Sequence, residues 1–165
     1  MHQEKVTKGD AYYIPTGRIH AIGAGVLLAE IQQTSDVTYR VYDYNRVDEK
    51  TGKQRELHTD LAEDVIDFKS YESYKTKYSK VENNSNILIH SPYFKTNFLP
   101  ICGKIKRDYT ILDSFVIYMC VFGEAVFTYN KKSYALKFGE TILIPASIKS
   151  VHIDSLTAHL LEIYL

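Results

Sequence analysis

The feature that most restricts how this chain can fold is the length of its apolar stretches. From residue 86 to the end they run "NILIHS", "YFKTNFLPI", "GKIKRDY", "SFVIYMCVFG", "EAVFTYN", "KSYALKF", "TILIPA", "SVHID" and "AHLLEIYL". Each is of strand length and is set off by turn-forming residues. Up to nine short strands at this spacing predict a β-sandwich or β-barrel. "SFVIYMCVFG" has little alternation of apolar and polar residues, which predicts a strand covered on both faces. The chain has fourteen tyrosines, seven phenylalanines and no tryptophan, in keeping with aromatic side chains suiting a pleated surface.

The N-terminal part has the same texture. "AYYIP", "RIHAI" and "VLLAEIQ" are divided by Thr16-Gly17 and by Gly23-Ala24-Gly25, so each divider predicts a hairpin. "VTYRVYDY" is a further strand, with Thr38, Arg40 and Tyr42 on one face. The polar loop "NRVDEKTGKQREL" follows, and "TDLAEDVIDF" predicts a short helix capped by Thr59 or Asp60, with Leu61, Val65 and Phe68 on one face. Residues 69–85 are polar without a sustained period and read as a linker. One stretch is written twice. "KGDAYYIPTGRIHAI" (8–22) echoes "FGETILIPASIKSVH" (138–152), with Gly9 on Gly139 and Ile14-Pro15 on Ile144-Pro145. A Gly-acid turn feeding a strand that ends in Ile-Pro predicts two related barrels, one in 1–68 and one in 86–165.

Composition excludes several functions. Lys+Arg and Asp+Glu number 20 each in 165 residues, so the charge points to no nucleic acid and no acidic membrane surface as partner. No run of 18 apolar residues predicts a membrane span. "MHQEKVTKGD" has no apolar leader, and Cys102 and Cys120 read as buried, reduced thiols. Together these predict a cytoplasmic location.

The ordered set "GDAYYIPTGRIHAIG", "EIQQTSDVTYRVYDYNR" and "GKQRELHTDLAEDVIDF" resembles the type I mannose-6-phosphate isomerases, zinc-dependent enzymes of the cupin superfamily. The resemblance is strong over residues 5 to 68 and looser through "VFGEAVFTYNKKSYALKFGETILIPA", which is similar to that family's C-terminal barrel. It implies a mainly β, cupin-like (jelly-roll) fold: an incomplete first barrel, a short helical segment and a complete C-terminal barrel. It implies interconversion of mannose 6-phosphate and fructose 6-phosphate, with zinc as cofactor. By the same resemblance His20 falls on a zinc ligand, Arg40 on a catalytic arginine and Glu30 on an acid of the active-site cleft. The chemistry suits these residue types. Neutral imidazole ligates zinc, a carboxylate can shuttle a carbon-bound proton, and a guanidinium can neutralise enediolate or phosphate charge.

The bland readings stand beside these. Glu30 could instead anchor Arg18 or Arg40, and His58 in "RELH" reads as structural. Ser35 and Asp36 read as turn formers, and His90, His152 and His159 as barrel residues. "AIGAGV" lacks the lysine and following helix of a phosphate loop, so the hairpin reading stands. The family's other zinc ligands lie on a "QxHP"-type segment that this chain lacks. The resemblance therefore covers a C-terminal half, whose site would be completed by an N-terminal half or by self-association. The alternative is a non-catalytic sugar-phosphate-binding or scaffold protein derived from the isomerase.

Overall fold

The computed structural model describes residues 2–35 and 37–165. The chain divides into two compact units, Met1–Lys75 and Thr76–Leu165. No helix among the described residues is long and apolar enough to cross a membrane.

The second unit is a single antiparallel sheet of six strands: β1 (Asn86–His90), β2 (Lys95–Asp108), β3 (Val116–Tyr129), β4 (Lys132–Lys137), β5 (Thr141–Ile144) and β6 (Ser150–Tyr164). The order is β1-β2-β6-β3-β4, and β5 pairs with β3 beside β4. The nine apolar stretches therefore become six strands. The expected break between "YFKTNFLPI" and "GKIKRDY" is a register shift inside β2 at Ile101/Gly103. That between "SFVIYMCVFG" and "EAVFTYN" is a pair of shifts inside β3. Bulges and turns use the same glycines, and only the partner strand distinguishes them. Gly123 (φ +71°) shows why one of these must be glycine: a Cβ there would lie 2.2 Å from the carbonyl oxygen of Thr157. A real reversal joins β3 to β4, where Asn130 (φ 47°) and Lys131 (φ 62°) both take the left-handed conformation of a two-residue hairpin turn.

The interior is apolar, with Leu99, Tyr118, Phe127, Leu136, Ile153 and Leu160 buried. Along β3, Val116, Tyr118 and Cys120 are buried while Ile117, Met119 and Val121 are half-buried, so the strand is covered on both faces as its text predicts. One charge sits among these residues. Glu162 on β6 is 2% exposed. Its Oε1 accepts from Tyr118 OH (2.6 Å) and from Arg107 Nη2 (2.7 Å), and its Oε2 from Ser85 Oγ (2.6 Å) and Asn97 Nδ2 (3.0 Å). Tyr118 gives its proton to Glu162, so Tyr109 OH donates to Tyr118 OH (2.8 Å). Burial alone would raise the carboxyl pKa. The Arg107 charge and the donated hydrogen bonds outweigh it and hold Glu162 below its ordinary 4.5. Burial pushes Tyr109 up to about 12. Arg107 Nε is buried without a protein partner among the described residues.

The first unit differs from expectation. Its strand-like segments form no ladder among the described residues, and the only bridges are Tyr12 with Lys75 and Val47 with Gln54. Among the described residues these segments make isolated bridges and no sheet. A strand has no hydrogen bonds of its own and needs a neighbour to become one. The turns do form. Asp10 N–H donates to Thr7 O and Glu140 N–H to Lys137 O, while Arg18 N–H donates to Pro15 O and Ile148 N–H to Pro145 O. The acid closes its turn in the same way in both copies, Thr7 N–H bonding Asp10 and Lys137 N–H bonding Glu140. The echo is thus a repeat of turns. The helix is shorter than expected, α1 (Thr59–Glu63), and starts after His58 with no side-chain cap. Its turn ends because residues 65–67 pass against Gly17, where Asp67 N–H bonds Gly17 O (2.9 Å). The expected apolar face is exposed at Leu61, Val65 and Phe68, and Ala62 is buried instead. Both cysteines are free thiols; Cys120 is buried, whereas Cys102 is exposed, contrary to its apolar surroundings in sequence.

Two outcomes are expected in unfolding experiments. Gly123→Ala should lower stability by about 3 kcal/mol, from the left-handed φ and the backbone collision together. Gly139→Ala (φ +81°, with open space around its Cβ) should cost only about 1 kcal/mol. Equal losses would remove the close approach of β6 as the cause. Glu162→Leu should cost about 3–5 kcal/mol by leaving Arg107 unpaired, and adding Arg107→Met should recover more than half. Because the folded pKa of Glu162 is depressed, its contribution is full above about 4.5 and fades as pH falls, a trend the double variant should lose.

Candidate functional site

The three residues singled out from sequence all lie in the first unit. His20 is exposed, and its Nδ1 lies 3.0 Å from Arg18 O. A carbonyl only accepts, so Nδ1 carries the proton and Nε2 keeps its lone pair. This is how a ligating histidine is oriented, with one nitrogen tied to the protein and the other presented outward. Glu30 is exposed. It anchors neither arginine. Arg18 bonds Tyr13 O (3.2 Å), pairs with Asp67 (3.8 Å) and lies 4.7 Å over the Tyr71 ring. Arg40 turns to the "RELH" segment instead. No hydrogen bond or ion pair among the described residues joins His20, Glu30 and Arg40 to one another. Asp36, expected to form a turn, lies outside the described residues; Ser35 accepts Val37 N–H (3.2 Å), as a turn former does.

Arg40 is the best-held of the three. Its backbone N–H donates to His58 Nδ1 (3.1 Å), His58 N–H donates to Arg40 O (2.8 Å), and its Nη1 donates to Glu56 O (3.3 Å). The Nε/Nη2 edge of the guanidinium is uncommitted among the described residues. Three residues on along one segment and three back along the other, Asp43 pairs with Arg55 through two hydrogen bonds, as antiparallel alignment requires. Arg46 closes on the same carboxylate and on Asp43 O. Hydrogen bonding from Arg55, aided by Arg46 and opposed by burial, holds Asp43 at about 2. The reversal between the segments is built by Asp48, whose Oδ1 accepts from Lys50 N–H and Thr51 N–H, and by Gly52 (φ 65°). "RELH" therefore acts as a clamp on "YRVYD". Its contacts through Arg55, Glu56 and His58 leave no local signal in the sequence, although "DEKTGK" between the two segments carries a turn signature. His90, on β1, and His152 and His159, on β6, are strand residues as expected.

Zinc can be weighed against these residues. His20 Nε2 suits one coordination position, but a catalytic zinc takes three protein ligands. No group of three or more potential ligands is gathered among the described residues. The set found here does not fit a complete zinc centre.

The second unit has the architecture of a cupin domain, and residues 84–165 match the family model for the "Mannose-6-phosphate isomerase, cupin domain". Over 150 residues the chain is 33% identical to the mannose-6-phosphate isomerase of Streptococcus mutans, covering 90% of this chain and 46% of that protein. Over 147 residues it is 34% identical to the mannose-6-phosphate isomerase ManA of Bacillus subtilis, covering 88% and 46%. The crystal structure of a Bacillus subtilis mannose 6-phosphate isomerase superposes with a TM-score of 0.63 at 25% identity, over 79% of this chain and 41% of that one. The chain belongs to the mannose-6-phosphate isomerase family and spans about half the length of the curated relatives it matches.

The Asp43 clamp makes a measurable prediction. By carboxyl NMR, Asp43 should titrate at about 2, and Arg55→Met should move it towards its ordinary 3.8. With a depressed folded pKa, the clamp is intact above 3.8 and weakens as pH falls through about 2.

Proposed function

We propose that this chain serves an aldose–ketose isomerase that interconverts mannose 6-phosphate and fructose 6-phosphate, with zinc as cofactor. The observation that carries the reading is His20, whose Nδ1–H bond to Arg18 O leaves Nε2 ready for a metal. The remaining donors come from another polypeptide segment, of the same chain or a second one. Bound zinc would supply Lewis acidity at the carbonyl oxygen.

The rest of the chemistry falls to side chains. Isomerisation moves one proton from C2 to C1 and one from O2 to O1, with no net redox change. Arg40 supplies positive charge to the enediolate or the phosphate through its Nε/Nη2 edge, uncommitted among the described residues, a geometry suited to two parallel hydrogen bonds. Glu30, exposed and without an ion-pair partner among the described residues, is the group assigned to carry the carbon-bound proton. The alternative is a non-catalytic sugar-phosphate-binding or scaffold protein derived from the isomerase.

Turnover of mannose 6-phosphate by the purified chain with added zinc separates the two. Under the isomerase reading, Arg40→Ala should lose about 100-fold or more in kcat. Turnover unchanged in that variant would remove Arg40 from the reaction. Binding of mannose 6-phosphate by folded chain without turnover would establish the second reading.

A further inference from the structure

We propose that His58 is the positioning residue of Arg40, holding it in register so that its free guanidinium edge meets the phosphate or enediolate of a sugar phosphate. The inference rests on the role given to Arg40 above.

Arg40 sits in a segment with no sheet ladder to hold it. A long side chain carries about 2 kcal/mol of rotamer entropy, and aiming it requires that its own Cα be held. His58 does this from both sides of the residue: its ring Nδ1 accepts Arg40 N–H (3.1 Å), and its backbone N–H donates to Arg40 O (2.8 Å). A backbone N–H only donates, so Nδ1 is unprotonated and the ring proton of neutral His58 sits on Nε2. This is the opposite tautomer to His20. The Tyr39 ring lies 6.3 Å from the imidazole, tilted by 45°. Glu56 O then takes one Nη1 proton (3.3 Å), and the Asp43–Arg55 pair keeps the two segments aligned. His58 is also the residue before α1 and gives the helix no side-chain cap. Its ring is committed to Arg40, not to the helix it precedes.

The test uses the full chain in five forms: wild type, Arg40→Ala, His58→Ala, the double alanine variant, and His58→Asn, the last because an amide oxygen can replace Nδ1 as acceptor. Fructose 6-phosphate affinity is measured by calorimetry, and the Arg40 amide and Nε–H signals are followed by NMR in the free chain. Arg40→Ala should weaken binding about 10-fold, His58→Ala about 3- to 10-fold, and His58→Asn less than about twofold. The Arg40/His58 double alanine variant should bind no more weakly than Arg40→Ala alone, because one residue acts through the other. In the free chain, the Arg40 signals should shift and broaden in His58→Ala and stay near wild type in His58→Asn. Wild-type affinity in His58→Ala beside a weakened Arg40→Ala would overturn this inference and leave the function intact. Wild-type affinity in Arg40→Ala would instead overturn the role of Arg40. Should the free chain not bind the sugar phosphate, unchanged Arg40 signals in His58→Ala overturn the positioning role directly.

Discussion

The C-terminal sheet is organised around a carboxylate inside its apolar interior. Glu162 accepts four hydrogen bonds, from β2, from β3 and from the residue before β1. Apolar side chains define which face of a strand is inside but tolerate sliding, because one buried leucine resembles another. A carboxylate does not. Slipping β6 by one residue would turn Glu162 outward and leave Arg107, Asn97 and Tyr118 without their acceptor. The ionic cluster therefore sets the register of β6 between β2 and β3, and the apolar core supplies the stability around it.

The first unit is built on other principles. Among the described residues its buried ones are Ala62 and Asp43, while Leu27 (83% exposed) and Phe68 (77%) lie open. Its order comes from turns closed by side chains, from Arg18 laid over Tyr71, and from the clamp of Arg55, Glu56 and His58 on the segment of Arg40 and Asp43. A unit of this size with so small a core has little hydrophobic stabilisation of its own. His20, Glu30 and Arg40 lie in this unit.

Relatives about twice this length give that contrast a setting. Strand-length apolar text such as "VLLAEIQ", exposed and without a ladder, is text that expects a neighbour. The second unit needs none, because its strands find each other within 90 residues of sequence, from Thr76 to Leu165. The chain thus joins a cupin domain to a region whose sequence is β-like and whose described residues form no ladder.

What the sequence by itself determined is local. Both Gly-acid turns, both reversals after Ile-Pro, the apolar faces of β3 and the residue types suited to isomerisation are legible, since each depends on a residue and its near neighbours. Tertiary structure decided everything that depends on a partner. It made the stretches either side of Gly103 and Gly123 single bulged strands, left the N-terminal stretches without a ladder, and put a charge in the core. It also assigned opposite tautomers to His20 and His58, because the ring nitrogen that faces an acceptor keeps the proton and the one that faces a donor gives it up: His20 Nδ1 faces the carbonyl of Arg18, and His58 Nδ1 faces the amide of Arg40. No residue carries its partner's identity in its own chemistry, so pairing, register and protonation waited on the fold.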